Sequence, residues 1–199
     1  GMMDHEDVRV QLIDMPPVTA DHYESFTTDV TRAADAAVLF LDLSDDDGPA
    51  ATQAVVERLK VARRELVPPG KPTLLVANKC DDEAADIRLE IAREALGSTY
   101  PLHVVSAERG DGLAELRAAL YGVLGVMRVY TKQPGKPADL TNPFTPPIGS
   151  TVADVAGRVH RDLEDAVKSA RVWGAAVHDG QTVGRDHVLH DKDVVELHT

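Results

Sequence analysis

The sequence has 199 residues, of which 43% are hydrophobic and 27% are charged, and its formal net charge is −12. These values are ordinary for a globular chain, and no apolar run reaches the length of about eighteen residues that would predict a transmembrane helix. The single cysteine, Cys80, excludes an intramolecular disulfide framework and is typical of a protein in the reducing cytoplasm.

The acidic charge is unevenly distributed along the chain. Residues 1–125 carry a net charge of −11, whereas residues 126–199 carry −1. The acidic part should repel polyanions, and this argues against non-specific nucleic-acid binding. The nearly neutral part leaves a specific contact with RNA open.

Residues 1–125 alternate between strand-like and helix-like segments. The segment 8–14 alternates in polarity and ends in an acid, whereas 36–43, 72–77 and 102–106 are apolar runs typical of strands buried on both faces. Helical spacing between these segments predicts three buried helix faces: Val55, Val56, Leu59, Ala62 and Leu66; Ile87, Ile91 and Ala95; Leu113, Leu116, Leu120 and Leu124. This alternation predicts an α/β fold, a mostly parallel sheet with flanking helices.

The pattern changes near residue 126. Short strands are predicted at 127–132, 172–177 and 194–198, and a proline-rich loop is predicted at 133–147. Thr151 is suited to cap a helix, with Asp154 three residues later. We therefore expect a small β-rich domain wrapped around one helix.

Three short motifs follow three of the predicted strands in the first part of the chain. They are Asp14 with Met15-Pro16-Pro17, then Asn78-Lys79-Cys80-Asp81, then Ser106-Ala107. Ligands of parallel sheets sit at the carboxyl ends of the strands, so these residues are candidates for one site. In order and spacing the three motifs resemble the last three signature elements of P-loop GTPases of the translation-factor-related class.

This resemblance implies guanine recognition. The Asp81 carboxylate would accept hydrogen bonds from N1–H and the exocyclic amine of guanine, a donor pair that adenine lacks. Asn78 would tie neighbouring loops together, and the aliphatic stem of Lys79 would cover the base or the ribose. Ser106 and Ala107 resemble the loop whose backbone N–H reads guanine O6.

The phosphate side of such a site is incomplete in this sequence. The resemblance makes Asp14 a magnesium ligand through a water, but the glycine that should follow it is replaced by Pro17, which has no N–H to offer a phosphate. The phosphate-loop pattern G-x-x-x-x-G-K-[ST] occurs nowhere in the chain. We therefore expect a truncated GTPase domain that binds GTP or GDP and Mg²⁺ weakly or not at all and does not hydrolyse GTP, although the intact parent would use these ligands.

The second part resembles a TGS domain of the Obg/DRG family of GTP-binding proteins. The resemblance rests on 128–135, on Val172-Trp173-Gly174, on 183–187 and on 189–195. It implies an α+β, ubiquitin-like β-grasp fold and a module that contacts RNA or the ribosome. The predicted organisation is therefore a partial GTPase domain at 1–125 and a TGS domain at 126–199.

Other functions remain open from the sequence. The GTPase part could be only a scaffold, with the TGS domain acting as a nucleotide-independent protein or RNA interaction module. A fragment of a tRNA synthetase or a stringent-response enzyme is a more remote reading, because these enzymes do not place a guanine motif before their TGS domain. We also expect an uncovered sheet edge next to residues 8–13, which would favour a homodimer.

Overall fold

A computed structural model describes residues 1–18, 30–31, 33–61 and 71–199. Two units are present: the first comprises Gly1 and Leu12–Leu124, and the second comprises Met2–Gln11 and Gly125–Thr199. Residues 2–11, which we expected in the first domain, therefore group with the second unit. The predicted helical positions Ala62 and Leu66 lie outside the described residues.

The first unit contains a parallel sheet of three strands in the order β3-β4-β5. The strands are β3 (Ala37–Asp42), β4 (Thr73–Asn78) and β5 (Leu102–Val104). The central strand β4 is buried along nearly its whole length, as its continuous apolar run predicts. The predicted parallel sheet is confirmed, and it is built from the three apolar runs.

Three helices flank this sheet: α1 (Gly48–Val61), α2 (Ala85–Leu96) and α3 (Leu113–Gly122). One apolar cluster joins Leu41 and Leu75 to helices α1 and α2, and a smaller one joins Val76 and Val105 to Leu116 of α3. The helices therefore lie on both faces of the sheet. No helix among the described residues has the length and apolarity needed to cross a membrane.

The predicted buried face of α2 was wrong. Ile87 and Ile91 are 69% and 51% exposed. The residues that pack inward are Ala85, Leu89, Ala92 and Leu96. Both sets have helical spacing, so spacing cannot choose between them. Two alanines on the inner face allow the helix to approach its neighbours more closely than the two isoleucines would.

Residues 2–11 form a hairpin that belongs to the second unit. Strands β1 (Met2–His5) and β2 (Val8–Gln11) pair antiparallel, and Glu6 in the turn has a positive φ of 51°. The prediction that 8–14 forms a strand of the parallel sheet was therefore wrong. An alternating strand offers one apolar face, which suits an antiparallel pair and not the doubly buried interior of a parallel sheet.

The second unit contains a five-stranded sheet in the order β7-β6-β10-β8-β9, in which β10 runs parallel to β6 and the other pairs are antiparallel. The strands are β6 (Val129–Thr131), β7 (Asp139–Phe144), β8 (Ser169–Trp173), β9 (Gln181–Gly184) and β10 (Asp193–His198). Strand β7 lies inside the predicted loop 133–147. Its proline is tolerated because β7 is an edge strand.

Two helices complete the second unit: α4 (Val152–Val159) and α5 (Arg161–Ala166). The predicted cap is confirmed, because the Thr151 side chain accepts from the Asp154 N–H and the Asp154 carboxylate accepts from the Thr151 N–H. Val152, Val155 and Ala156 of α4 are fully buried against the sheet core. The predicted domain around one principal helix is thus observed.

Candidate functional site

The loops after β4 and β5 are joined by backbone hydrogen bonds. The Val105 N–H donates to the Ala77 carbonyl at 2.9 Å, and the Cys80 N–H donates to the Val105 carbonyl at 3.1 Å. These bonds extend the parallel ladder beyond the strands and hold the Asn78-Lys79-Cys80-Asp81 loop beside the Ser106-Ala107 loop. The two predicted motifs therefore meet at the carboxyl edge of the sheet, where such sheets bind ligands.

Asn78 connects three loops at this edge. Its side-chain Oδ1 accepts from the Ala107 N–H at 3.1 Å, and its backbone carbonyl accepts from the Leu43 N–H at 2.9 Å. Since Leu43 follows β3, the connection spans all three strands. The Ala107 N–H, which the resemblance assigns to guanine O6, is engaged with Asn78 in this structure. Recognition of O6 by this donor would require that bond to be exchanged.

Asp81 and Ser106 form a second link between the loops. Ser106 is fully buried, and its Oγ accepts from the Arg109 N–H at 3.0 Å. A hydrogen bond from the Ser106 hydroxyl is the main reason why the pKa of Asp81 lies below its usual value. Asp81 is therefore ionised at neutral pH, and it stays partly open to solvent.

Lys79 is held by two residues, Asp42 and Ser44, that lie outside the sequence motifs. Its Nζ lies 2.7 Å from Asp42 Oδ2 and 3.0 Å from Ser44 Oγ, and its backbone has a positive φ of 66°. Burial alone would raise the pKa of Asp42, but hydrogen bonds from Lys79 and Ser44 outweigh burial and lower it. The only signal for Asp42 in the sequence is an acid at the end of an apolar run.

Arg88 of α2 fastens the loop after β3 to the loop after β4. Its guanidinium is largely buried and donates to the Leu43 carbonyl at 2.6 Å, to Asp82 at 2.7 Å and to Asp46 at 2.6 Å. The partners are as far as 45 positions away in sequence, so no local pattern indicates this cluster. Through Asp82 it holds the residue next to Asp81 in place.

Asp14 does not share the geometry of these residues. It lies beyond the end of β2, in an irregular segment, and it is exposed. The premise that it ends a strand of the parallel sheet was wrong, because the alternating segment pairs with β1 instead. Within the described ranges no group of three or more His, Cys, Asp or Glu residues is arranged to hold a metal ion. The described residues near Asp14 therefore do not form a magnesium site by themselves.

The site offers an ionised and accessible acceptor, the Asp81 carboxylate, next to the Lys79 cation and the two joined loops. A carboxylate oxygen pair matches a ligand that presents two parallel N–H donors, and guanine presents such a pair at N1 and N2. The aliphatic part of Lys79 and the exposed backbone of the Ala107 loop border the same edge. The described residues at this edge are better suited to contact a base than a phosphate chain.

Comparisons with known proteins find one matching domain family and several GTP-binding relatives. The TGS domain family matches residues 127–199. An uncharacterised GTP-binding protein of Methanocaldococcus jannaschii is 37% identical over 129 residues, and developmentally-regulated GTP-binding protein 1 of Xenopus laevis is 35% identical over 131 residues. Ribosome-interacting GTPase 1 of Saccharomyces cerevisiae is 31% identical over 128 residues. Each match covers 63% of this chain but only 32%, 34% and 33% of the relative, respectively.

The matched stretch is longer than the TGS domain, so the similarity extends into the first unit. The chain spans about a third of the length of these relatives. The solved YchF GTPase of Schizosaccharomyces pombe is similar over 87% of this chain and 60% of its own, with a TM-score of 0.49 and 11% identity. Residues 127–199 therefore match the TGS domain family, and the chain is similar to about a third of each of these GTP-binding proteins.

Proposed function

We propose that the first unit recognises the guanine base of GTP or GDP and that the TGS domain contacts RNA or the ribosome. The observation that carries this proposal is the pair of backbone hydrogen bonds, Val105 to Ala77 and Cys80 to Val105, that hold the Asp81 loop beside the Ser106-Ala107 loop at the carboxyl edge of the sheet. Asn78, Lys79 and Ala107 complete the guanine site. The protein would act in the cytoplasm, as the single unpaired cysteine suggests.

We further propose that this chain by itself holds the base weakly and does not hydrolyse GTP. Its sequence contains no phosphate-loop motif, and Pro17 has no N–H for a terminal phosphate. Phosphate and magnesium contacts supply most of the positioning and charge stabilisation in phosphoryl transfer. A GTPase activity, and a magnesium role for Asp14, would therefore belong to an intact parent protein.

Two observations support an RNA or ribosome partner for the TGS domain. The yeast relative is named a ribosome-interacting GTPase, and residues 126–199 carry a net charge of only −1 beside a strongly acidic first part. The acidic part would repel a polyanion, so any contact with RNA falls to the TGS domain.

The alternative is an interaction module that does not use nucleotide. It is favoured by the hydrogen bond that already occupies the Ala107 N–H and by the ion pair that holds Lys79 on Asp42. Homodimerisation also remains a proposal. The sheet edge through which it would occur is that of β3, because residues 8–11, beside which we expected it, pair in the N-terminal hairpin. Among the described residues no strand pairs with the outer side of β3, whose Phe40 is 66% exposed.

The test is a titration of the chain with guanosine, adenosine and GDP. Binding is measured from the NMR line broadening of the ligand. We expect guanosine to bind with a dissociation constant on the order of 1 mM and adenosine not to bind, because Asp81 finds its donor pair only in guanine. Asp81→Asn should abolish binding because it replaces one acceptor oxygen with a donor. The neighbouring exposed Glu83→Gln is the matched control.

Equal binding of guanosine and adenosine, or unchanged binding by the Asp81→Asn variant, would contradict base recognition and favour the nucleotide-independent module. Micromolar or tighter binding of GDP would instead show that the chain is not impaired in nucleotide binding. GDP binding much tighter than guanosine binding would point to phosphate contacts outside the site described here.

A further inference from the structure

The Glu6–Asp7 turn of the N-terminal hairpin sits on a cluster of donors in the TGS unit. The Arg128 guanidinium, whose side chain is 6% exposed, donates through Nη1 to the carboxylates of Glu6 and Asp7. The Tyr130 hydroxyl donates to Asp7, and Lys192 Nζ lies 3.1 Å from Glu6. Two carboxylates of the turn thus meet three side-chain donors of the second unit.

The donor cluster, defined as Arg128, Tyr130 and Lys192, is fixed by the TGS framework itself. The Lys192 N–H donates to the Arg128 carbonyl at 2.8 Å, and the Arg128 N–H donates to Asp191 at 2.7 Å. Asp191 also accepts from the guanidinium through Nε and Nη2. These bonds do not involve the turn, so withdrawal of the turn would leave Arg128 and the backbone of Lys192 in place, and Tyr130 is held by the pairing of β6 with β10.

The net charge around the donor cluster changes from negative to positive when the turn is withdrawn. With the turn in place, Arg128 and Lys192 face three carboxylates, those of Glu6, Asp7 and Asp191. Without it, Asp191 is the one of these three carboxylates that remains. Arg, Lys and a hydroxyl that converge on anionic oxygens form strong, charge-assisted hydrogen bonds, and phosphate oxygens satisfy the same donors as carboxylate oxygens. The lowered pKa of Glu6, caused mainly by its hydrogen bonds to Arg128 and then Lys192, agrees with a cation-rich setting.

The hairpin contributes little apolar burial. Val10 is its one buried residue, and it belongs to none of the three apolar clusters. The remaining hairpin residues are exposed or half-buried. Glu6 is exposed and Asp7 is half-buried, so a phosphate that accepts from the same donors can compete with the turn.

We propose that the donor cluster of Arg128, Tyr130 and Lys192 is a binding site for a phosphate group of RNA, and that the Glu6–Asp7 turn is an internal occupant that blocks it. The choice of RNA as the source of the phosphate rests on the proposed function of the TGS domain. The site itself rests only on the geometry of the cluster.

The test compares RNA binding by the intact chain with and without the two turn carboxylates. A fluorescein-labelled single-stranded oligouridylate is titrated with wild type, with Glu6→Gln/Asp7→Asn, and with the control Asp4→Asn/Asp179→Asn. The control removes the same charge from exposed positions of the same unit that do not contact Arg128. We expect the turn variant to bind about tenfold more tightly than the control, which corresponds to about 1.4 kcal/mol. Adding Lys192→Gln to the turn variant should cancel this gain.

Two further measurements separate the site from its RNA ligand. Hydrogen exchange of the amides at 8–11 should accelerate in the turn variant, and inorganic phosphate should shift the NMR signals of Tyr130 in that variant but not in wild type. Phosphate binding without RNA binding by any variant would support the site and contradict the RNA contact proposed above. The proposal would be overturned if the turn variant and the control bound RNA equally and neither responded to phosphate. Unchanged hydrogen exchange at 8–11 would also overturn it.

Discussion

The two units complete their sheets to different degrees. The TGS unit has five strands around a continuous core that includes the fully buried Val129, Val172 and Val195. In the described part of the first unit, three strands carry two separate apolar clusters, and Phe40 of the outer strand β3 is mostly exposed. Burial of apolar area is the main source of stability, so we infer that the TGS unit is the more self-sufficient of the two.

The functional features of the two units also differ in how they are held. In the first unit the candidate guanine site is fixed by two cross-loop hydrogen bonds, in which Asn78 accepts from the Ala107 N–H and Arg88 donates to the Leu43 carbonyl. In the TGS unit the Arg128 cluster is fixed by strand pairing and then covered by a turn from a distant part of the sequence. The first arrangement leaves the Asp81 carboxylate accessible to a ligand. In the second, the donors of the cluster are already bonded to carboxylates of the same chain.

The largest test of this comparison removes one buried leucine from each core. Leu75→Ala in the first unit and Leu189→Ala in the second should each cost about 2–5 kcal/mol of unfolding free energy, because both side chains are buried in an apolar cluster. If the TGS unit is self-sufficient, calorimetry should show two transitions, with Leu189→Ala lowering only that of the TGS unit. A single transition that both variants shift alike would show that the units unfold together and would break the distinction.

A smaller effect is expected at the turn that sets the Ser106 loop. Gly112 has a φ of +69°, and a Cβ there would lie 2.4 Å from the Val104 carbonyl oxygen. Gly112→Ala should therefore cost about 2–4 kcal/mol, combining left-handed strain with a backbone clash. Gly110→Ala is the matched control, since its φ is +85° but no atom lies within 4 Å of its Cβ.

Denaturant unfolding monitored separately for the two units checks this prediction. We expect the control to lose only the strain, about 1–2 kcal/mol, and the loss in both variants to be confined to the first unit. Equal losses for Gly112→Ala and Gly110→Ala would show that the loop after β5 can shift to relieve the clash. The Ser106 loop would then be less rigid than its hydrogen bonds suggest.

The smallest effect concerns the helix cap of the TGS unit. The Thr151 backbone N–H, followed by its hydroxyl, lowers the pKa of Asp154 below the usual 3.8. A carboxyl group with a lowered folded-state pKa stabilises the fold above its unfolded pKa and loses this effect as pH falls through the folded value. Asp154→Asn should cost about 0.3–1 kcal/mol at pH 7, and the difference from wild type should fade below about pH 4.

Equilibrium unfolding of wild type and Asp154→Asn from pH 7 to pH 2.5 measures this difference. Asp162→Asn is a suitable comparison, because it removes an exposed acid from the first turn of α5, which has no capping box. A difference that persists undiminished at pH 2.5 would mean that the Asp154 carboxylate is not the source of the stabilisation.

Much of the first unit could be predicted because its strands are marked locally. A run such as 72–77 buries both faces of β4 whatever its neighbours are, and the Asn78 and Ser106 motifs follow such runs directly. The guanine role of these motifs stays a prediction until a ligand is measured. The supports around them could not be predicted, because Arg88 and Asp42 meet their partners only after the sheet has assembled.

Periodicity was a weaker guide where two solutions share the same spacing. Helix α2 has two apolar stripes, and only packing against its neighbours selected Ala85 and Leu89 over Ile87 and Ile91. Residues 8–11 alternate correctly for a strand, but alternation does not name the partner strand. The edge strand β7 contains a proline that made its segment read as a loop.

The sequence by itself determined the α/β alternation of the first unit, the order of the guanine-type motifs and the kinship of residues 127–199 to TGS domains. The tertiary structure alone decided which unit receives the N-terminal hairpin, which face of α2 is buried and which residues orient Lys79 and Asp81. The physical reason is the range of the interactions. Apolar period, caps and turns act over a few residues, whereas strand partners and buried ion pairs join positions as far apart as Asp7 and Arg128.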